Sequence, residues 1–386
     1  MRRISAHYLW TPGGFLPGRV VAVDAAGTIT DISAPGHLDR EAGVEFYPGI
    51  LIPGLVNAHS HLELSYMCGA IPPGGGFAGF AEGMRTRRGG FSDGDRLSAA
   101  SFRDAKMWTD GVSAVADICN GATTFAVKGR SRIAYHSFIE LFGLDADPAR
   151  VFGIRDTARS GGLTATVTPH ATYSLRREAF AAAVAGPGGN AHGGNSPLSI
   201  HFIESESETE LFEKRGPMWE WYAEQGLEPD FLDYGSPAER LAAQVPADRP
   251  VMLVHNCCVT QRDIDIVMGH FTAPVTWVLC PGSNRYISGL RPPVELLRKN
   301  RLRIAVGTDS LASNETLSMV RELGMLGNVP LEELLGWATL NGARALGMDD
   351  RLGSVEVGKT PGLVLLSGVD LQTMTLGPDP KTERIV

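Results

Sequence analysis

The sequence has few cysteines and no hydrophobic run long enough to cross a membrane. Its five cysteines are an odd number and form no C-x-x-C motif. This usage disfavours a disulfide framework or a structural zinc knot and is typical of reduced thiols. The first residues, MRRISAHYLW, lack the long apolar segment of a secretory signal. We therefore expect a cytoplasmic protein without a targeting segment.

Basic runs are scarce as well. The formal net charge is -8, and the largest basic cluster is RTRR at residues 85–88. A nucleic-acid surface or an anionic membrane surface would need more clustered positive charge, so neither partner is indicated. We expect a small-molecule substrate instead, with no nucleic-acid or membrane partner. A homodimer is compatible with the sequence, although no interface stripe can be identified.

The chain alternates between strand-like and helical segments in a way that indicates two domains. Both ends contain short strand-like runs broken by glycine and proline, whereas the middle holds eight apolar strand-like runs separated by helical stretches. Buried apolar strands that alternate with helices are typical of parallel βα units. We predict an α/β protein: a (β/α)8 TIM barrel over residues 53–351, with a small β-sandwich domain built from both termini, residues 1–52 and 352–386. The segment between His201 and His255 is too long for one βα unit and predicts an insertion near the barrel mouth.

Histidines cluster where the predicted barrel strands end. In LIPGLVNAHSHLELS, His59 and His61 are two positions apart, so both side chains of a strand would point to the same side. His201 and Asp309 end the predicted fifth and eighth strands, and the carboxyl ends of barrel strands converge at one mouth. Each residue alone has an ordinary structural explanation, as a core histidine or a helix cap. Together, three histidines and one carboxylate form a ligand set for one divalent metal, zinc with iron as the alternative.

A catalytic role follows from the residues beside these ligands. A bound metal lowers the pKa of its water, so a metal-bound hydroxide becomes available at neutral pH. Glu204 follows His201 by three residues and is predicted to carry protons between this water and a leaving nitrogen. His255 is either a further ligand or the residue that holds the hydroxide and the oxyanion-like adduct. Asp309 is expected both to bind metal and to accept a proton, while Glu206, Glu208 and Glu210 are expected to be solvated.

Several motifs resemble those of a known family. PGLVNAHSHLE, TPHATYSL, HFIESESE, LVHNCCVT, CPGSN and GTDSLASNETL resemble the successive strand-end motifs of the amidohydrolase superfamily, in the branch of cytosine deaminase, adenosine-type deaminases and triazine chlorohydrolases. The resemblance covers nearly the whole chain in order. It implies a metal-bearing (β/α)8 barrel in which the first- and fifth-strand histidines and the eighth-strand aspartate bind zinc or iron. It also implies a fifth-strand glutamate as acid/base and a sixth-strand histidine that polarises the water, the positions of Glu204 and His255.

Within this branch, HLELSYMCGAIPPGGGFAGFA is most similar to aminodeoxyfutalosine deaminases, which remove the 6-amino group of an adenine nucleoside that carries a carboxyphenyl group. Two departures stand out. CPGSN has Gly282 where relatives usually carry a bulkier residue. Thioadenosine-type relatives bind ribose through a glutamate after the first-strand loop, where this chain has arginines instead. Arg85 and Arg88 thus become candidates for a substrate carboxylate, although a solvated basic helix face explains either one equally well.

The leading functional hypothesis is hydrolytic deamination of an amino-substituted N-heterocycle, such as aminodeoxyfutalosine or another adenosine derivative. In this hypothesis His170, Ser283 and Asn284 contact the heterocycle. The same hydroxide would serve hydrolysis of a C-Cl, C-S or cyclic amide bond, which is the alternative enzymatic function. A non-catalytic metal-binding protein is disfavoured because neither a ligand nor the acid/base is missing.

Overall fold

The computed structural model describes residues 1–34, 43–186 and 196–386. The strands within these ranges are β1 (Arg2–Thr11), β2 (Gly14–Pro17), β3 (Val20–Val23), β4 (Ile29–Ser33), β5 (Val44–Pro53), β6 (Leu55–Ser60), β7 (Val112–Cys119), β8 (Ala134–Leu141), β9 (Thr164–Pro169), β10 (Leu198–Phe202), β11 (Val251–His255), β12 (Val275–Leu279), β13 (Arg303–Val306), β14 (Leu363–Asp370) and β15 (Thr375–Arg384).

The helices are α1 (Gly76–Arg87), α2 (Asp93–Thr109), α3 (Phe125–Lys128), α4 (Pro148–Ser160), α5 (Arg177–Ala185), α6 (Glu206–Phe212), α7 (Gly216–Glu224), α8 (Pro237–Gln244), α9 (Gln261–His270), α10 (Pro281–Ser288), α11 (Val294–Lys299), α12 (Met319–Gly324), α13 (Leu331–Ala338) and α14 (Leu340–Ala345). Short 3-10 helices span Leu62–Met67, Arg88–Gly90 and Leu232–Tyr234. None of the described helices has both the length and the apolar character needed to cross a bilayer.

Eight parallel strands form the barrel. They hydrogen-bond in two groups, β6-β7-β8-β9 and β10-β11-β12-β13. At one seam, the backbone N–H groups of Thr308 and Asp309 both donate to the carbonyl oxygen of His59, each over 3.0 Å. At the other seam, the N–H of His201 donates to the carbonyl oxygen of His170 over 2.9 Å. The predicted (β/α)8 barrel is confirmed, with all eight strands where the apolar runs indicated.

The strands of the barrel are buried along nearly their whole length because both of their faces are covered. Every residue of β6, β7 and β11 is buried. Residues that point inward pack with each other, and residues that point outward pack against the surrounding helices, as in parallel sheets generally. This packing fixes the position along the barrel axis at which each strand ends. It therefore also fixes the position of the polar residues that follow each strand.

The two ends of the chain meet in one small sheet. Its order is β15-β14-β5-β1-β3-β4, with β2 paired to β1. β14 pairs antiparallel with β5, so that Leu363 lies opposite Pro53, and β5 then leads directly into β6. The composite β-domain is thus confirmed, and the predicted sandwich is one continuous seven-stranded sheet in its hydrogen bonding. The exact domain boundaries at residues 52 and 352 stay a prediction.

The long connection between β10 and β11 contains the predicted insertion. It comprises α6, α7, the 3-10 turn Leu232–Tyr234 and α8. Phe212, Met218 and Phe231 pack into an apolar cluster inside it, while Trp221 and Leu227 reach the cavity at the barrel mouth. The insertion therefore forms part of the boundary of the candidate site.

Candidate metal centre and active site

Three of the predicted ligands converge at the mouth of the barrel. The Nε2 atoms of His59 and His61 lie 3.2 Å apart. One ligand nitrogen from each of His59, His61 and His201 lies within 4.8 Å of the others. Asp309 completes the group, because its Oδ1 is 3.3 Å from Nε2 of His61 and 3.7 Å from Nε2 of His59.

These nitrogens suit a divalent metal. Burial lowers the pKa of His59, His61 and His201, so the rings are neutral and can offer lone pairs. Two nitrogen ligands of a tetrahedral zinc, each about 2.05 Å from the ion, would lie about 3.3 Å from one another. The separation of 3.2 Å between the Nε2 atoms of His59 and His61 matches this value. The residues therefore fit one divalent metal, with zinc as the leading candidate.

Asp309 is oriented by two hydroxyl groups. Its Oδ2 accepts hydrogen bonds from Ser283 Oγ at 2.5 Å and from Ser313 Oγ at 3.0 Å, which leaves Oδ1 facing the histidines. Burial acts against a charge here, but the two hydroxyl donors stabilise the charged form of the carboxylate. The carboxylate is therefore ionised and has a free oxygen for a ligand role.

His201 has a fixed tautomer. Its Nδ1 lies 2.9 Å from the carbonyl oxygen of His170, to which it donates. The proton is thus on Nδ1, and the lone pair is on Nε2. Nδ1 of His59 and of His61 has no hydrogen-bond partner among the described residues. Among the three predicted histidine ligands, His201 is therefore the one whose ring is oriented by a hydrogen bond from its Nδ1 to a described residue.

Gly307 lets the eighth strand approach the first. A Cβ at this position would lie 2.7 Å from both Cβ and N of His59. We expect Gly307→Ala to displace His59 and to lower zinc affinity about 10–100-fold, as loss of ligand orientation does in other metal sites. Competition with a chromophoric chelator measures this change. Gly269→Ala is the matched control, since nothing lies within 4 Å of a Cβ there; equal zinc affinity in both variants would contradict the prediction.

Glu204 lies at the mouth of β10 on a constrained turn. Ile203 has a φ of 45°, an uncommon value for a β-branched residue. The carboxylate of Glu208 holds this turn by accepting from the N–H of Ile203 at 2.9 Å and of Glu204 at 2.7 Å. Burial, and to a smaller extent the charge of Asp309, raise the pKa of Glu204 to about 7. Such a group can take up and release protons near neutral pH.

The expectation that Glu208 is solvated was wrong, because Glu208 is almost completely buried. It occupies the third position of α6, from which its side chain reaches back past the start of the helix. The sequence carried a signal for this arrangement: Ser205 and Glu208 have the spacing of a capping box, in which the glutamate bonds backwards to free N–H groups. Glu206 is exposed, as expected.

His255 ends β11 in a left-handed conformation, with a φ of 78°. Its Nδ1 is 2.9 Å from Nδ2 of Asn284, which also lies 3.5 Å from Oε1 of Glu204. An amide donor at Nδ1 leaves the proton of the neutral ring on Nε2. The ring therefore presents a donor to the site, which favours the role of holding an oxygen over that of a metal ligand.

Ser283 and Asn284 lie below the cavity. They belong to the first turn of α10, are buried, and bond to Asp309 and His255 instead of lining the cavity. Gly282 precedes them, and its N–H donates to Oε2 of Glu322 over 2.7 Å. A Cβ on Gly282 would lie within 2.4 Å of the Glu322 carboxylate, which explains why this chain has glycine there.

A cavity of about 1010 Å³ opens above these residues. His61, His201, Glu204, His255 and Asp309 line its floor, and aromatic side chains from α1 and the insertion line its sides. His170 also faces the cavity, with Nδ1 3.1 Å from Ser174 Oγ. The volume is at the upper end of the range of about 300–1,000 Å³ typical of small-molecule sites.

Both predicted arginines lie along this cavity, but in different surroundings. Arg85 is exposed and forms a two-fold contact with Glu82 on the same helix, at 2.7 and 2.8 Å. Arg88 is half-buried and reaches Oε1 of the buried Glu63 over 3.3 Å. Arg88 therefore has the more defined position at the cavity.

Two curated relatives are similar over most of their length. A 5-methylthioadenosine/S-adenosylhomocysteine deaminase of Moorella thermoacetica is 28% identical over 370 residues, which cover 86% of this chain and 76% of that protein. An adenosine deaminase of Helicobacter pylori is 25% identical over 328 residues, which cover 81% and 78%.

Solved structures share the fold. Aminofutalosine deaminase of Helicobacter pylori in complex with methylthio-coformycin matches with a TM-score of 0.82 and 24% identity, covering 95% of this chain and 92% of that one. The zinc complex of the atrazine chlorohydrolase TrzN of Arthrobacter aurescens matches with a TM-score of 0.74 and 19% identity, covering 96% and 88%. The sequence profile of the amidohydrolase family matches residues 148–383, more than half of the chain. With the barrel, the converging histidines and this match together, the chain belongs to the amidohydrolase family.

Proposed function

We propose that this protein is a zinc-dependent aminohydrolase that removes the amino group of an adenine-containing nucleoside by hydrolysis. One observation carries the proposal: His61, His201, Asp309, Glu204 and His255 line the floor of one cavity, and Nε2 of the buried His59 lies 3.2 Å from Nε2 of His61. The names of the relatives support it, since they include deaminases of thioadenosine-type nucleosides and of adenosine, and an aminofutalosine deaminase among the shared folds.

The ligand set would be His59, His61, His201 and Asp309. When bound, a divalent metal lowers the pKa of a coordinated water and so supplies a nucleophile at neutral pH. The chain itself determines which groups stay available for this role. Ser283 and Ser313 occupy one oxygen of Asp309, and the carbonyl of His170 occupies Nδ1 of His201. The remaining oxygen and nitrogen face the same space.

Glu204 would carry the protons of the reaction. Its carboxylate would take a proton from the attacking water and pass it to the adjacent ring nitrogen as the C–O bond forms and the ring C=N π bond opens. The hydroxyl proton of the adduct would then pass through Glu204 to the amino group, so that the C–N bond breaks, the C=O bond forms and ammonia leaves. The Nε2–H of His255 would donate a hydrogen bond to the attacking oxygen and hold it in place as the tetrahedral adduct forms. Asn284 positions both groups through one amide nitrogen.

The cavity favours a substrate larger than a free base. Its volume of about 1010 Å³ leaves room beside a purine, and Phe77, Phe80 and Trp221 give it an aromatic boundary. Arg88 would hold an anionic group at the far end of the substrate, because its guanidinium is partly exposed and anchored by Glu63. An adenine nucleoside with an aromatic, carboxylate-bearing substituent, such as aminodeoxyfutalosine, meets these requirements. The cytoplasmic location and the homodimer remain predictions.

The test is a substrate panel with the zinc-loaded protein. Ammonia release is measured with aminodeoxyfutalosine, methylthioadenosine, adenosine, guanine, cytosine and an amino-triazine, and chelated protein serves as the blank. We expect turnover of at least one adenine nucleoside and none of the free bases. Release of chloride or opening of a cyclic amide, measured on the same preparation without ammonia release from any nucleoside, would overturn the proposal in favour of the alternative hydrolase.

A further inference from the structure

Glu140 lines the cavity, and one of its side-chain oxygens is buried without a partner in the part of the chain that the structure describes. It lies near the end of β8, and its side chain is only 5% exposed. Oε2 accepts a hydrogen bond from Nδ2 of Asn120 over 2.9 Å. Oε1 has no hydrogen-bond partner within residues 1–34, 43–186 and 196–386. Since a buried carboxylate oxygen without a partner is costly, this atom indicates a site for a hydrogen-bond donor that comes from elsewhere.

A chain of hydrogen bonds fixes the position of this carboxylate. Arg88 reaches Oε1 of Glu63, and Oε2 of Glu63 accepts from the backbone N–H of Asn120 over 3.0 Å. The side chain of Asn120 then continues to Glu140. Both oxygens of Glu63 are therefore used, whereas Glu140 keeps a spare carboxylate oxygen on this side of the cavity. Its orientation is set before any ligand arrives.

A second metal ion is a poor explanation for this oxygen. Glu140, His170 and His201 place ligand atoms within 4.8 Å of one another. However, Nδ1 of His201, which is 3.6 Å from Oε1 of Glu140, donates to the carbonyl oxygen of His170 and has no lone pair to offer. Only one histidine and one carboxylate remain, fewer than the three protein ligands of a typical zinc site. The oxygen suits O–H donors instead.

The position of Glu140 relative to the reacting groups indicates which hydroxyl it meets. Oε1 lies beside Nδ1 of His201, on the opposite edge of the ring from Nε2. In an adenine nucleoside, the sugar is attached on the five-membered ring, away from the amino-bearing carbon. When that carbon is at Glu204, the sugar therefore extends away from the predicted ligands. We propose that Glu140 accepts a hydrogen bond from a ribose hydroxyl of the substrate, an inference that rests on the proposed function.

The experiment compares ribonucleosides with their deoxy analogues. kcat/KM is measured for adenosine, 2′-deoxyadenosine and 3′-deoxyadenosine with the zinc-loaded wild type, Glu140→Gln and Glu140→Asp. We expect the wild type to prefer adenosine over at least one deoxy analogue by about 10–100-fold, the range of a hydrogen bond to a charged group. Both variants should lose most of this preference, while their activity on the disfavoured analogue stays close to that of the wild type. Glu178→Gln, an exposed change on α5, is the matched control.

The two variants distinguish two roles of Glu140: binding of a substrate hydroxyl, and electrostatic stabilisation of the neighbouring His201. Glu140→Asp keeps the negative charge near His201 but withdraws the oxygen from the cavity, and it also covers the case that Glu140→Gln does not fold. Equal losses of kcat/KM on adenosine and on both deoxy analogues would overturn the proposal. Loss of zinc from the variants would also overturn it, as would a second equivalent of zinc that is bound by the wild type but not by the variants. A wild type inactive on every adenine nucleoside would reject the proposed function itself, and this inference with it.

Discussion

Replacement of Glu204 by glutamine is expected to slow ammonia release by about 10²–10⁴-fold, the usual contribution of a general acid–base group. The amide has nearly the same shape but cannot take a proton from water or return it to nitrogen. Zinc content should be unchanged, because Glu204 does not belong to the converging group of His59, His61 and His201. Single-substrate kinetics at saturation, with metal analysis of the same sample, measures both quantities.

The matched control is Glu206→Gln. Glu206 lies two positions along the chain, is exposed and does not line the cavity, so the same chemical change should leave turnover at the wild-type level. If Glu204→Gln released ammonia at the wild-type rate from every accepted substrate, Glu204 could not be the proton carrier.

Asn284→Asp should be nearly as damaging, although we do not expect Asn284 to touch the substrate. The carboxylate would accept a hydrogen bond from Nδ1–H of His255, so the neutral ring would carry its proton on Nδ1 and present a bare Nε2 to the site. The donor that holds the attacking oxygen would be lost. In serine proteases, a change that imposes the wrong histidine tautomer lowers kcat about 10⁴-fold, and we expect about 10²–10⁴-fold here on the same grounds.

Asn284→Ala distinguishes the tautomer from simple loss of packing. Alanine removes the amide at 2.9 Å from Nδ1 without imposing either tautomer, so it should be less damaging than aspartate, despite the larger change in volume. Metal analysis and melting temperature should be similar for both. Alanine as the worse substitution would mean that Asn284 acts through packing and not through the proton on His255.

The barrel and its polar strand ends could be predicted because each rests on a local pattern. The apolar runs of β6 to β13 alternate with helical segments, and the carboxyl ends of parallel strands must meet. His59 and His61 come close together because His61 directly follows β6 and keeps a strand-like φ of -125°, so that the i, i+2 relation of a strand still holds. The spacing of two positions between His59 and His61, together with the common mouth of the barrel strands, is therefore enough to predict that the imidazoles cluster.

Side chains that follow a strand by several residues could not be placed in the same way. Ser283 and Asn284 were predicted at the heterocycle, but α10 begins at Pro281 and turns them under Asp309 and His255. The side chain of Glu208 reaches back to the end of β10 because α6 begins just before it. The only sign of this helix start in the sequence is the three-residue spacing between Ser205 and Glu208. In each case the direction of the side chain depends on the residue at which the helix begins, and the sequence of the preceding loop does not specify that residue. The orientation of the Glu140 carboxylate likewise depends on a hydrogen bond from Asn120, which follows a different strand.

The seam between β6 and β13 gives the metal site a role in folding. Asn57 and Thr308, whose side chains are hydrogen-bonded across it at 2.8 Å, are 251 positions apart in the sequence. An ion shared by His59 and Asp309 would act as a removable cross-link that closes this very long loop. Because the unfolded chain lacks the site, free zinc at about 1,000 times Kd would add about 4.1 kcal/mol to the free energy of unfolding. Cellular zinc supply would then affect the fraction of the protein that is folded as well as its activity.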